Sequence, residues 1–113
     1  MPETEKRKYP RIPTQNVISY LCTDEDDNQL GEGVGETINI SQGGILLKTP
    51  LPIESEYIML TTIDWENNTI DIKGKVAHSR RDESGKFATG IRFLGTQEEK
   101  IKIVKCLVKT RIR

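Results

Sequence analysis

Two arginines four positions apart, Arg7 and Arg11 in Arg-Lys-Tyr-Pro-Arg, stand ahead of the first apolar run of the chain. Pro10 and Pro13 make this stretch a poor helix and bias Tyr9 and Ile12 toward extended geometry. Extended, it places Arg7, Tyr9 and Arg11 along one side by period-two alternation. Such a segment serves a ligand or is an idle basic tail. A guanidinium is a planar fork of donors that binds phosphate, takes the O6/N7 edge of guanine bidentately, or stacks on a base. Further along stands Asn39-Ile40-Ser41-Gln42-Gly43-Gly44. Two short polar side chains beside a glycine turn make a compact hydrogen-bonding shelf, and Gly44 lets a ligand or the backbone come close. Arginines on a mobile arm closing over that shelf suit a guanine nucleotide with phosphates.

Other chemistry finds no support. The single histidine, His78, falls on the apolar side of a strand and reads as a satisfied barrel-end residue; no second histidine offers a metal site. The turn Asp24-Glu-Asp26-Asp-Asn28 resembles a calcium loop, but Gln29 and Gly35 stand where glycine and glutamate are required. Gly31, Gly33 and Gly35 complete no dinucleotide fingerprint, and Ser41 has no partner histidine. Asp64 and Asp71 read as solvated. Neither catalysis, a metal nor a cofactor is expected. Trp65 reads as packing under a hairpin, with a stacking platform for a base as the sharper alternative. Lys100, Lys102, Lys105 and Lys109 read as a solvated helix face.

The totals set bounds. The chain has 113 residues, suited to a single domain with a modest core, and its 17 basic and 17 acidic side chains give a net charge of zero. A binder of nucleic acid polymers would usually be basic, and only six aromatics (two Phe, one Trp, three Tyr) are present to stack bases. Local basic segments, Lys6–Arg11 and Lys100–Arg113, survive within that neutrality. Cys22 and Cys106 read as reduced thiols of a cytoplasmic protein. No apolar run approaches the ~20 residues of a membrane span, and the charged start carries no signal peptide.

The elements that must position the candidate residues are mostly strands. Asn16–Cys22 is β-branched and aromatic; Val34–Ile40 alternates, with Ile38 and Ile40 toward the core and Thr37, Asn39 and Ser41 outward. Asp24–Gly33 reads as a polar turn, and Ser41–Gly44 as a turn whose glycines permit positive φ. Strands follow at Ile45–Thr49, Glu56–Trp65, Thr69–His78 and Lys86–Phe93. In the fifth, Ile70, Ile72, Val76 and His78 share a face; in the sixth, Phe87, Ile91 and Phe93 do. Thr96 and Glu99 have capping-box spacing, and Ile101, Val104, Leu107 and Val108 recur at helical spacing, which predicts a helix over residues 97–112. The expectation is an all-β fold, a six-stranded antiparallel β-barrel with a C-terminal α-helix, preceded by a mobile arm at residues 1–6.

The two motifs together resemble the PilZ domain family, whose pattern is R-x-x-x-R followed about thirty residues later by D/N-x-S-x-x-G. Gly90-Ile-Arg-Phe93 before the helix also matches the family's ending, and the resemblance covers nearly the whole chain. It implies a bacterial receptor for cyclic di-GMP. Carried over, Arg7 and Arg11 bind guanine edges and phosphates. Asn39, Ser41, Gly43 and Gly44 form the strand and turn that hold the other guanine. Lys6 stands where many members have arginine and leans toward a stacked ligand pair. Asn39 replaces an aspartate, keeping an acceptor while removing a charge. The resemblance further implies that ligand orders the arm over the barrel and changes a surface read by an unidentified effector protein, the receptor being a monomer or weak homodimer. The alternative is a degenerate module acting only through protein contacts.

Overall fold

Runs rich in isoleucine, leucine and valine, broken by Asp-, Asn- and Gly-bearing turns, fold as strands because branched side chains pack well on a pleated surface. The computed structural model describes residues 12–14, 16–63 and 66–112, the last four by backbone alone. The elements are β1 Ile12–Pro13, β2 Val17–Thr23, β3 Gln29–Ile40, β4 Gly44–Thr49, β5 Tyr57–Ile63, β6 Thr69–Arg81, β7 Phe87–Phe93 and α1 Gln97–Ile112. The antiparallel order β3-β2-β5-β6-β7-β4 closes through a β4–β3 pairing into a six-stranded barrel, and the two-residue β1 adds to β3. Closure leaves no open sheet edge around the barrel.

The barrel is filled by Ile18, Ile40, Ile45, Leu47, Ile58, Leu60, Ile72, Ile91 and Phe93, and α1 lays Ile103 and Leu107 against them. The helix begins with the predicted reciprocal cap: Glu99 N–H donates to Thr96 Oγ1 (3.1 Å) and Thr96 N–H to Glu99 Oε1 (2.7 Å). Its buried stripe is centred on Ile103, Cys106 and Leu107, with Ile101 only half-buried. The polar turn is shorter than expected. It ends at Asn28, and β3 starts at Gln29. Gly33 and Gly35 belong to the inner face of β3, their missing side chains making room for Tyr20 and Leu47.

Two bulges reset the alternation. The β3–β4 register shifts between Thr37 and Asn39, and the β6–β7 register between Val76 and His78. One inserted residue exchanges the faces of everything beyond it. Thr37, expected outside, is therefore inside at 1% exposure, and Ile38, expected inside, is half-buried. His78, expected on the apolar face, is exposed on the outer one. Buried Thr37 finds polar partners: its Oγ1 accepts from Thr14 Oγ1 (2.8 Å) and Asn16 N–H (2.9 Å). Asn16 Nδ2 in turn donates to the Leu107 carbonyl (3.0 Å), tying the segment after β1 to α1.

Candidate functional site

The shelf forms where β3 turns into β4. Asn39 lies half-buried on the outer surface, paired with Leu46 on one side and with Pro13 of β1 on the other. Ser41 does not share that surface as expected. It is 6% exposed, and its Oγ accepts the N–H groups of Gly43 (3.1 Å) and Gly44 (3.3 Å). The Ser41 N–H donates to the Gly44 carbonyl (2.9 Å), closing the turn. A serine side chain that bonds its own following backbone substitutes for part of a turn. Ser41 thus shapes the shelf from beneath.

The turn's glycines permit positive φ but do not adopt it; among the described glycines only Gly85, in the β6–β7 hairpin, has it (φ 87). Gly44 is required for room, because a Cβ there would collide with the Ile91 carbonyl oxygen. The Gly43 carbonyl accepts from Phe93 N–H (3.0 Å), and Gln42 Oε1 accepts from Gln97 Nε2 (3.0 Å) at the head of α1. The turn is thereby fixed to both β7 and the helix.

Beyond the turn the outer surface runs across four strands through Asn39, Leu46, Gly90 and His78, which are cross-strand partners in succession. At ~4.8 Å per strand this row is about 14 Å wide. Arg92, exposed, pairs with Gly44 and with Lys75 one row along and supplies a cation at the shelf's edge. Gly90 and Arg92 were legible as outward from the alternation of Phe87–Phe93. His78 was not, because the bulge before it leaves no mark in a count of alternating residues.

Lys6, Arg7, Arg11 and the arm at residues 1–6 lie outside the described residues, as do Asp64, Trp65 and the side chain of Lys109. Asp71 accepts from Thr61 Oγ1 (2.7 Å) on the outer face. Among the described residues no three His, Cys, Asp or Glu side chains gather to hold a metal. Cys22 and Cys106 remain thiols. No helix of the described residues is long and apolar enough to cross a membrane. A hollow of about 560 Å³ elsewhere on the surface sets Lys48, Arg80 and Arg81 against Asp82 and Glu83, a charge mixture that favours no ion.

The molecule is thus a closed antiparallel barrel with a helix laid on it and a glycine turn carrying a polar shelf on its outer wall. The family model described as PilZ domain matches residues 5–109, and the chain belongs to that family. No curated protein sequence is similar enough to count as a match. Among solved structures, the chain is similar to the Bacillus subtilis inhibitor of motility MotI/DgrA, with 18% identity and a TM-score of 0.66 over 99% of this chain and 56% of that one. It is also similar to the K. pneumonia MrkH–c-di-GMP complex, with 18% identity and a TM-score of 0.62 over 95% of this chain and 53% of that one. A third is the PilZ domain of Escherichia coli YcgR with c-di-GMP, with 15% identity and a TM-score of 0.57 over 92% of this chain and 90% of that one. The chain thus spans about half the length of the first two. At these identities the likeness is one of fold.

Proposed function

We propose that the chain is a cytoplasmic receptor for cyclic di-GMP and not an enzyme, with Arg7 and Arg11 closing the nucleotide against the outer shelf. Asn39 and the Gly43–Gly44 backbone take one guanine, while Ser41 holds the turn that presents them. Lys6, His78 and Arg92 flank the ligand, and the arginines take phosphates and the other guanine edge. The observation that carries this reading is the pairing of Pro13 with Asn39 and Ile12 with Ile40. Ile12 directly follows Arg11, so the chain bearing the first motif arrives at the second. The PilZ domain of YcgR and the MrkH complex, both with c-di-GMP, support the ligand class.

Closing the arm orders a segment, at a cost of about 2–5 kcal/mol. The order–disorder step changes the exposed surface, which an effector protein then reads. A micromolar complex has about −8 kcal/mol in total, and one charge-assisted contact contributes about 1.5–3 kcal/mol. Titration calorimetry with cyclic di-GMP tests the reading. Arg7→Ala and Arg11→Ala should each weaken binding at least ~10-fold with unchanged circular dichroism. The measured stoichiometry separates one bound molecule from a stacked pair. No heat with the wild-type chain would leave the degenerate protein-binding module, and wild-type heats from the double variant would remove the arginines from the site.

A further inference from the structure

β3 runs on past the closed ring. Its pairing with β4 ends at Glu36 and Lys48, although β3 itself continues back to Gln29 alongside β2. The same register would set Pro50 against Val34, and proline has no N–H with which to continue a ladder. Before Glu36, β3 therefore keeps β2 on one side and, among the described residues, no strand on the other. One bond fixes which backbone groups lie along that edge. Thr37 N–H donates to the Asn16 carbonyl (2.7 Å) on the β2 side. Backbone groups alternate sides along an antiparallel strand, so those of Gly35 and Gly33 also point to β2, and those of Val34 and Glu32 point the other way. No described backbone group bonds them there. The bulge opposite Cys22 and Thr23 ends this regularity at Leu30.

An uncovered edge is a template for an added strand. Leu30 (61% exposed) and Val34 (54%) stand on either side of exposed Glu32, and a Cβ on Gly31 would meet nothing within 4 Å, which leaves the inner side open to a guest's side chains. Charge says what the guest is. Glu32 makes no ion pair among the described residues. Glu36 follows it, and residues 50–56, leaving β4, add Glu54 and Glu56 and no cation. Lys48, opposite Glu36, is bridged to Asp82 (3.6 Å); Lys73, three strands away in the row of Glu32, is bridged to Asp27 (2.8 Å). A second copy pairing edge to edge would set Glu32 beside Glu32 or Glu36 of the other copy, and like charges across a ladder oppose that.

We infer that the edge at Glu32 and Val34 takes an extended basic segment of another protein, added antiparallel to β3. Lysine or arginine lies opposite Glu32, apolar residues lie against Leu30 and Val34, and small side chains lie over Gly31 and Gly33. Main-chain bonds to Glu32 and Val34 hold the guest, and Glu32 selects its charge. The edge lies roughly 20 Å along β3 from Asn39 and needs no nucleotide.

The capped peptide Lys-Val-Thr-Arg-Thr-Val-Lys, titrated to about 2 mM into the isotope-labelled whole chain without nucleotide and followed by NMR, tests this. Before peptide is added, the Glu32 and Val34 amides should exchange faster than those of Gly33 and Gly35. Peptide should slow the first pair and shift the resonances of residues 30–34, leaving those of residues 39–44 in place. Replacing the peptide's arginine by glutamate, or methylating that arginine's backbone nitrogen, should weaken binding at least ~10-fold, whereas methylating either threonine nitrogen should change it less than ~3-fold. Glu32→Arg, at an exposed position that does not threaten the fold, should invert the preference between the arginine and glutamate peptides. Three results overturn the inference: no binding by the folded chain at about 2 mM, binding indifferent to the charge or to the place of the methyl group, or Glu32 and Val34 amides already protected in a dimer of the chain.

Discussion

The His78 imidazole on β6 occupies the space in which a side chain at its cross-strand partner Gly90 on β7 would stand; a Cβ there would lie 2.6 Å from the ring Cε1. At Gly44, by contrast, the obstacle is the Ile91 backbone carbonyl, which cannot swing aside. The exposed His78 ring can. Gly44→Ala should therefore cost about 1–3 kcal/mol of stability by forcing β4 and β7 apart, as overpacking does. Gly90 is itself buried, but the nearest obstacle to a methyl group there is the movable His78 ring, so Gly90→Ala should cost less than Gly44→Ala. Urea denaturation compares the two, and equal losses would contradict the distinction. On the proposed shelf, Gly90→Ala should nonetheless weaken nucleotide binding, because both the methyl group and the displaced ring intrude on it.

Thr37 is a buried acceptor for two donors, Thr14 Oγ1 and Asn16 N–H. Valine keeps its shape and removes that acceptor. Thr37→Val should destabilise the fold by about 1–3 kcal/mol, the cost of stranding buried donors. Amide exchange at Thr14 and Asn16 should accelerate more than exchange at Ile58 in the barrel core. A uniform acceleration would mean that the network does not specifically hold the segment after β1.

Asn39→Asp restores a charge at the shelf. A carboxylate accepts more strongly than an amide oxygen, charge-assisted bonds being about twice as strong as neutral ones. The expected outcome is cyclic di-GMP affinity raised about 3- to 10-fold by calorimetry, a gain of about 1 kcal/mol. Weaker binding would mean that the side chain serves as a donor.

Acid should loosen two turns first. The Asn28 backbone N–H, followed by its side-chain amide, holds Asp24 below the ordinary 3.8. Asp82 is held below 3.8 chiefly by the Ser84 hydroxyl, with the Lys86 and Ser84 backbone N–H groups assisting. A carboxylate depressed on folding contributes stability above its unfolded pKa, and that contribution fades as pH falls through the folded value. Both turns should be at full strength above about pH 4 and lose hold only below it. Carboxyl NMR titration should place both midpoints under 3.8; a midpoint at or above that value would show that the turn hydrogen bonds are not formed in solution.

The barrel was legible because its determinants are local: β-branched runs, Asp and Gly turns, and a change to helical period opened by Thr96 and Glu99. The seventh strand, Ile12–Pro13, was not, since two residues beside β3 have no period. What misled the reading of faces was the pair of bulges at Ile38 and Ala77. Alternation counts residues along one strand, whereas a bulge is a property of two. Thr37 could be recognised as buried only by knowing that Thr14, far earlier in the chain, supplies its partner. Ser41 and Gly44 were legible as motif residues, but their mechanical roles were not. Serine's bond to the Gly43 and Gly44 amides and glycine's clearance under Ile91 both depend on how the hairpin meets β7.

The two-residue pairing of β1 with Asn39 and Ile40 gives the leader a root at the rim of the polar ledge. A group tethered by so short a stretch of chain meets its target at an effective concentration of order millimolar. A detached peptide carrying the Arg-Lys-Tyr-Pro-Arg sequence would therefore compete poorly with the leader, and lengthening the chain between Arg11 and Ile12 would dilute the arginines while leaving the β1 pairing in place.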